Sequence, residues 1–296
     1  MTTRAWLLTL RAFSFPATIV PVLLALVVVL ASPMTVTWWT VPVYLLAALL
    51  FHAATNVLND YYDYRHGVDR EDDRDPTHAI TQGHATPRFM FVSGHLYFVA
   101  ALILGLGLAG LRGTDFLVAG LVGAAGSYFY TAGRLSLKYR ALGDLTVFVM
   151  MGPALVVLGV WTFAGQPSLA GALASLPVAL LVTLILHGNN YRDIGVDRRA
   201  GVTTLAGLLG ERAARRLFTI LLLGSYLSAA VLAAVGVVPW WSLLAFASAP
   251  AAWQLERRVR QSTDAGELVD LPMRCAMLHL QFGVLYILGF LIQWVL

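Results

Sequence analysis

The sequence predicts an all-α, polytopic membrane protein: nine transmembrane helices around a central cavity, the N-terminus on the cytoplasmic side, in a single domain spanning residues 1–296. Three observations carry this. Charged residues make up only 12% of the chain against 58% hydrophobic ones, where a soluble globular protein carries about 25% charged residues; the mean hydropathy is +0.73. Apolar runs close to the roughly 20 residues a helix needs to cross a bilayer recur along the whole length. The basic residues fall into alternate connections between those runs.

In chain order the spans are expected at Phe13–Ala31, Val41–Leu58, Phe89–Leu111, Phe116–Ala132, Leu142–Phe163, Leu169–Leu186, Leu217–Val238, Trp241–Leu255 and Cys275–Leu296. The first run is longer than the 7–15 apolar residues, roughly, of a signal-peptide core, and eight more follow it. It therefore reads as a span. The eighth is the shortest. With the N-terminus inside, every one of the 20 Lys and Arg residues except Arg112 lies in an inner segment, as the positive-inside rule requires. Trp38, Trp39, Trp161, Trp240, Trp241 and Trp294 fall near the opposite ends, as an interfacial aromatic belt would. The sequence pI of 9.4 is thereby explained by topology, and no nucleic-acid partner is expected. A lone Cys275 excludes an intrachain disulfide and any cysteine-built metal site.

Outer connections such as Ala164–Ser168 are short and nearly uncharged. Two inner connections, Asn59–Arg88 and Asn189–Arg216, are long and charged, and they carry a repeated pattern. The first reads Asn56-Val-Leu-Asn59-Asp60-Tyr61-Tyr62-Asp63 and then Gly67-Val68-Asp69. The second reads Asn189-Asn190-Tyr191-Arg192-Asp193 and then Gly195-Val196-Asp197. Asn59 and Asp63, like Asn189 and Asp193, are four residues apart, so on a continued helix each pair shares one face. Asp197 extends the second stripe; Asp60 leaves the face of the first.

Carboxylates clustered with carboxamide oxygens suit a hard cation. Mg2+ takes one or two carboxylates, keeps waters and draws further ligands from substrate phosphates, so two facing clusters would hold a diphosphate. Asn59, Asp60, Asp63, Asp69, Asn189, Asp193 and Asp197 form the expected ligand set. Lys138, Arg140 and Arg192 are placed to neutralise phosphate charge. Ionisable groups at membrane depth are costly and point to function. The run Glu71-Asp72-Asp73-Arg74-Asp75, by contrast, reads as a solvated charge tract. Gly105-Leu-Gly107-Leu-Ala-Gly110 matches a dinucleotide-binding expression but sits in an apolar span with no preceding strand. With Gly120, Gly123 and Gly126 it reads as close helix packing. His52, His95 and His279 read as packing or hydrogen-bonding residues, and His187 as pocket lining.

The motifs resemble those of the intramembrane UbiA-type aromatic prenyltransferases: Asn59-Asp60-x-x-Asp63 is similar to that family's first aspartate motif and Asp193-x-x-x-Asp197 to its second. Within the family, several segments look closest to the branch that prenylates 1,4-dihydroxy-2-naphthoate in menaquinone synthesis. They are Asn59-Asp-Tyr-Tyr-Asp-Tyr with Gly67-Val-Asp, Tyr130-Thr-Ala-Gly133 leading to Tyr139-Arg-Ala-Leu-Gly143-Asp144, and Gly188-Asn-Asn-Tyr-Arg-Asp-Ile followed by Asp197-Arg-Arg-Ala-Gly201-Val-Thr-Thr-Leu-Ala206. The resemblance implies nine spans and transfer of a polyprenyl chain from its diphosphate to an aromatic acceptor, in a bacterial inner membrane with the active site on the cytoplasmic side. Asp63, Asp193 and Lys138 are then the expected catalytic residues. Arg11, Asn56, Tyr62, Tyr130, Lys138, Arg140, His187, Asn190 and Arg192 are the expected substrate contacts, Arg11 toward an acceptor carboxylate and Tyr62, Tyr130 and Tyr191 toward an allylic cation. 4-Hydroxybenzoate is the alternative acceptor. A secondary transporter, the alternative class, would place inverted repeats about the membrane midplane, whereas these motifs run in parallel at helix ends. A phosphatidyl- or polyprenyl-phosphate transferase of another fold shares the metal chemistry but does not predict two such motifs four spans apart.

Overall fold

The computed structural model describes residues 2–69, 77–133, 135–262, 264 and 267–296. The tract Glu71–Asp75 lies outside the described residues, as do Arg70 and Arg134. The described residues are helical, with no strand beyond an isolated pairing of Arg140 with Thr203.

Among the described residues, six helical stretches are long and apolar enough to cross a membrane: Ala12–Leu30, Thr40–Arg65, Pro87–Arg112, Gly143–Ala164, Leu205–Ala234 and Leu271–Val295. The chain is a multi-pass integral membrane protein. Its outer surface agrees: Leu96, Ile103, Val118, Val122 and Leu227 are each at least 60% exposed, and apolar surface on that scale needs lipid or a partner.

A short helix α1 (Thr3–Thr9) precedes α2 (Pro16–Leu30), and the break between them places Arg11 in the left-handed region, φ 49°. Helix α3 (Thr40–Arg65) runs seven residues beyond the expected span. Asn59 and Asp63 therefore sit on the last turns of a helix and not in a loop. Helices α4 (Pro87–Arg112) and α5 (Thr114–Thr131) form a hairpin beside it. The fifth stretch is α6 (Gly143–Val149), a wide π-turn at Met150–Ala154 and α7 (Leu155–Ala164). Pro153 cannot donate to the helical ladder, and the wider turn absorbs it. At Gly152 a Cβ would come within 2.2 Å of Ala179 Cβ, so a larger residue there would push apart two helices that meet backbone to backbone.

After α8 (Leu169–Ala174), α9 (Leu176–Arg192) leads through Asp193 into α10 (Ile194–Ala200). The second inner connection is thus largely helical. Helix α11 (Leu205–Ala234) bends at Gly210, φ 73°. The expected eighth span, Trp241–Leu255, is instead a tight 3-10 segment, Trp240–Ser248, followed by α12 (Ala249–Gln261), which ends in charged residues. The 3-10 backbone packs against Gly289 of α13 (Leu271–Val295), where a Cβ would lie 2.2 Å from Ser242 N. The apolar core is built chiefly from α2, α7, α9, α11 and α13. Arg112, the one basic residue expected outside the inner segments, is a structural tie: it donates from Nε to Thr162 O at 2.9 Å and from Nη2 to Thr37 Oγ1 at 3.0 Å. Of the expected aromatic belt, Trp161 is half-buried and packs edge-on against Phe116; the other five are at least 44% exposed.

Candidate active site

Both motifs open onto one cavity of 820 Å3. Its polar mouth is lined by Asn59, Asp63, Asp69 and Lys138 on one side and by Asn189, Asn190, Arg192, Asp193 and Asp197 on the other. Below the mouth it continues past Tyr130, Met150, Met151 and Leu155 between apolar helices.

The helical spacing brings each motif pair together. Asn59 donates to Asp63 Oδ2 at 2.9 Å and Asn189 to Asp193 Oδ2 at 3.2 Å. The first carboxylate is ringed by cationic and phenolic donors: Lys138 Nζ lies 2.6 Å from both oxygens of Asp63 and also donates to Asn59 Oδ1, and Tyr139 donates its hydroxyl to Asp63. Lys138 and Tyr139 come from a tight 3-10 turn, Leu137–Tyr139. Ala141 N donates to Thr203 O at 2.8 Å, which ties that turn to the segment following the second motif. Burial, reinforced by the charge of Asp63, pushes the Tyr139 hydroxyl's pKa up. In the second motif Arg192 grips its neighbour, with Nε and Nη2 each 2.7 Å from an Asp193 oxygen, while Nη2 also reaches Asn189 Oδ1 at 3.1 Å. Asp197 accepts from Thr204 Oγ1 at 3.2 Å. Thr204 also caps α11, accepting from Gly207 N at 3.2 Å.

Two carboxylates at the mouth are poorly compensated. Burial pushes Asp69 up to about 7, the charge of Asp63 adding to it, and pushes Asp197 up to about 7, the charge of Asp193 adding to it. Asp69 Oδ2 is buried with no hydrogen-bond partner among the described residues; Oδ1 faces His78 Nδ1 at 3.6 Å. An orphaned carboxylate oxygen beside an all-oxygen donor set fits a hard divalent cation such as Mg2+. Among the described residues no three His, Cys, Asp or Glu side chains converge as a ready-made metal cage.

Several expected contacts lie elsewhere. Asp60 does not line the cavity: it is 1% exposed, its Oδ2 accepts from Ala79 N at 2.9 Å, and it anchors the loop after the first motif. Tyr62 turns away and stacks on His66. Arg140 is exposed outside the lining. His187 is fully buried, between Asp144 Oδ2 at 2.6 Å and Ala214 O at 2.9 Å, and is a structural link rather than pocket lining. Its partner Asp144 also holds Asn190 at 3.1 Å. Tyr191 is buried, its hydroxyl accepting from Arg215 Nε. Arg11, Asn56 and Tyr130 do line the cavity. The close-packing reading of the glycines fails at Gly105, Gly107, Gly110 and Gly120, which face open space; only Gly126, where a Cβ would lie 2.8 Å from Met150 Cε, is tightly packed. Gly105 and Gly120 instead line the cavity beside Leu106 and Leu121, which are 53% and 50% exposed. The cavity wall thus includes stretches of both α4 and α5.

His52, Thr77, His78, Tyr139 and Thr204 also line the cavity and were not among the expected site residues. His52 had a signal: residues 52, 56, 59 and 63 make one helical stripe. Thr204 stands three residues before Gly207 at a helix start, a capping position. Nothing in the spacing marks Thr77 or His78, which reach the mouth through a loop.

Comparison with known proteins follows the same lines. A model of the UbiA prenyltransferase family matches residues 18–278. The UbiA prenyltransferase domain-containing protein 1 of Homo sapiens is 32% identical over 290 residues, which cover 97% of this chain and 83% of that protein. The same-named protein of Xenopus tropicalis is 31% identical over 294 residues, 96% and 81%. A UbiA homolog from Archaeoglobus fulgidus, solved bound to GPP and Mg2+, superposes with a TM-score of 0.68 at 13% identity over 99% of this chain and all of that one. The apo UbiA homolog from Aeropyrum pernix K1 gives 0.68 at 17% identity, over 96% and 97%. At those identities the solved structures speak for the fold. Together with the family match and the curated relatives, the paired motifs at the mouth of an intramembrane cavity identify this chain: it belongs to the UbiA prenyltransferase family and is a membrane prenyltransferase.

Proposed function

We propose that this prenyltransferase moves a polyprenyl chain from its diphosphate onto an electron-rich aromatic acceptor, with Mg2+ holding the diphosphate at the cavity mouth. The observation that carries the reading is the shared cavity itself: two acidic motifs and two cations at its mouth, with an apolar interior beneath that reaches α4 and α5. Asn59, Asp63 and Asp69 on one side, and Asn189, Asp193 and Asp197 on the other, would hold the metal; Asp60 is left out because it stands outside the cavity lining, with Oδ2 accepting from Ala79 N. When bound, Mg2+ supplies charge neutralisation for the diphosphate. The relative from Archaeoglobus fulgidus was solved with this pair of ligands.

The residues of the chain do the rest. Lys138 and Arg192, now paired with Asp63 and Asp193, present charge to the phosphate oxygens as the C1–O bond breaks and its electron pair leaves with the diphosphate. The π face of Tyr130 steadies the positive charge that develops on the prenyl C1. Met150, Met151 and Leu155 exclude water, so that a ring carbon of the acceptor forms the new bond before hydrolysis competes; the ring proton then passes to the released diphosphate at the polar mouth. Arg11 faces an anionic substituent of the acceptor. The gap at Gly105 and Gly120 admits the prenyl tail from the bilayer.

The division of basic residues supports nine spans in one domain with a cytoplasmic N-terminus and motif mouth, α5, α8 with α9, and the Trp240–Gln261 segment supplying the three spans beyond the six long ones. The curated relatives named above are animal proteins, so they lend no support to the bacterial membrane or to 1,4-dihydroxy-2-naphthoate in particular. That compound stays the first acceptor to try, with 4-hydroxybenzoate beside it. Purified protein given radiolabelled geranylgeranyl diphosphate, Mg2+ and a panel of hydroxylated naphthoates and benzoates should yield one prenylated product. Hydrolysis without transfer to any acceptor would contradict the reading.

A further inference from the structure

A cluster unassigned so far lies deeper in the cavity wall, where the chain breaks between α1 and α2. Arg11 is the pivot of that break, and its left-handed backbone is a strained conformation for a residue with a side chain. Something must hold it. Two side chains of α3, one turn apart, do so. Asn56 Nδ2 donates to Leu10 O at 2.8 Å. His52 acts through a chain of hydroxyls: Ser14 Oγ donates to Arg11 O at 2.7 Å, His52 Nε2 lies 3.1 Å from Ser14 Oγ, and His52 Nδ1 lies 2.7 Å from Thr18 Oγ1.

The polarity of this chain follows from its end. A carbonyl only accepts, so the Ser14 proton points at Arg11, and Ser14 Oγ must accept from His52 Nε2–H. With the imidazole neutral, Nδ1 is then the bare nitrogen and accepts from Thr18. Each ring nitrogen is used once, in one defined tautomer. Thr18 is 1% exposed and locks the far end, while Arg11, Ser14, Thr18, His52 and Asn56 all line the cavity.

We infer that His52, braced by Thr18 and acting through Ser14, is a positioning residue for Arg11, so that the stripe of α3 carrying the diphosphate motif also sets the recognition of an anionic, carboxylate-bearing aromatic acceptor. This deepens the proposed function and rests on its assignment of Arg11 to the acceptor. His52 is not asked to move a proton. It needs one donor and one acceptor, which a glutamine also has, and the role separates on that point from general-base chemistry and from mere space filling.

The test measures binding of 1-hydroxy-2-naphthoate and of neutral 1-naphthol to the detergent-purified protein, with geranyl S-thiolodiphosphate and Mg2+ as a control for an intact mouth. Wild type should prefer the carboxylate. His52→Ala should weaken the carboxylate about tenfold, one charge-assisted contact's worth of affinity, leaving 1-naphthol and the thiolodiphosphate unchanged, and His52→Gln should restore the preference. Thr18→Val should follow His52→Ala, and it carries the test if His52→Ala no longer binds the thiolodiphosphate. The inference is overturned if wild type shows no preference, if His52→Ala or Thr18→Val keeps it, or if His52→Gln loses as much as His52→Ala. A wild type that shows the preference but transfers no prenyl group sinks the proposed function and leaves the clamp standing.

Discussion

The two acidic motifs are near-copies in sequence, yet the fold treats them differently. Asp63 is almost buried, its side chain 8% exposed, and is held by Lys138 and Tyr139 from a distant turn as well as by Asn59. Asp193 is 25% exposed and is gripped by Arg192, its own neighbour in the chain. The carboxylate of the second motif is gripped by its chain neighbour, whereas the ring of donors around Asp63 exists only once α5, the Leu137–Tyr139 turn and the end of α3 are assembled. Equal motifs do not make equal sites: the environment decides how much of the surrounding machinery each carboxylate organises.

The largest expected effect breaks that comparison. Asp63→Ala should lower the transfer rate about a thousandfold, because it removes a metal ligand and also unmoors Lys138 and Tyr139. Asp193→Ala should lower it about a hundredfold, Arg192 staying in reach of the phosphate; tenfold in rate corresponds to about 1.4 kcal/mol of barrier. Single-turnover transfer rates of the two variants check this, and equal losses would erase the asymmetry.

Next in size is the response to metal and pH. Asp69 and Asp197, raised to about 7 by burial and by the neighbouring charges of Asp63 and Asp193, hold protons in the folded chain that the unfolded chain has released. Their contribution to stability is therefore full below about pH 4 and lost as pH rises through about 7. The chelated protein should melt at a higher temperature at pH 6 than at pH 8, and Mg2+ should raise the melting temperature more at pH 8. A Mg2+-induced rise no larger at pH 8 than at pH 6 would remove both residues from the metal set.

Asp60 sharpens the contrast within the first motif. Asp60→Ala deletes a buried, charge-assisted hydrogen bond worth about 1.5–3 kcal/mol, so the melting temperature should fall while the Mg2+ concentration needed for half-maximal rate stays put. A shift in that concentration would return Asp60 to the ligand set. The smallest effect is expected at the far end of the cavity: Gly120→Leu, which fills the gap between α4 and α5, should slow transfer from geranylgeranyl diphosphate several-fold more than from geranyl diphosphate. Equal slowing would place the tail elsewhere.

Much of this was legible because hydropathy and i, i+4 spacing are local. Asn59 with Asp63 and Asn189 with Asp193 meet as their spacing requires, and the long apolar runs became long helices. What failed did so for tertiary reasons. Asp60 belongs to the motif by pattern but found a backbone amide 19 residues on. His187 looked like lining because it precedes a motif, yet α6 and α11 close over it through Asp144 and Ala214. The run at Trp241 reads as an ordinary α-helical span, but it begins as a tighter 3-10 helix that packs backbone-close on Gly289. The glycines of α4 and α5 show the same limit: their periodicity marks a smooth face without saying whether a helix or a substrate is to lie against it.

The central claim is that both motifs hold one metal-bridged diphosphate. Calorimetric titration of geranyl diphosphate into wild type, Asp63→Asn and Asp193→Asn, each with Mg2+ and with EDTA, tests it most directly. Binding should require Mg2+ in wild type and weaken by about a hundredfold or more, roughly 2.7 kcal/mol, in both variants. Binding of equal strength in EDTA, or a variant at either motif that binds as wild type does, would contradict it.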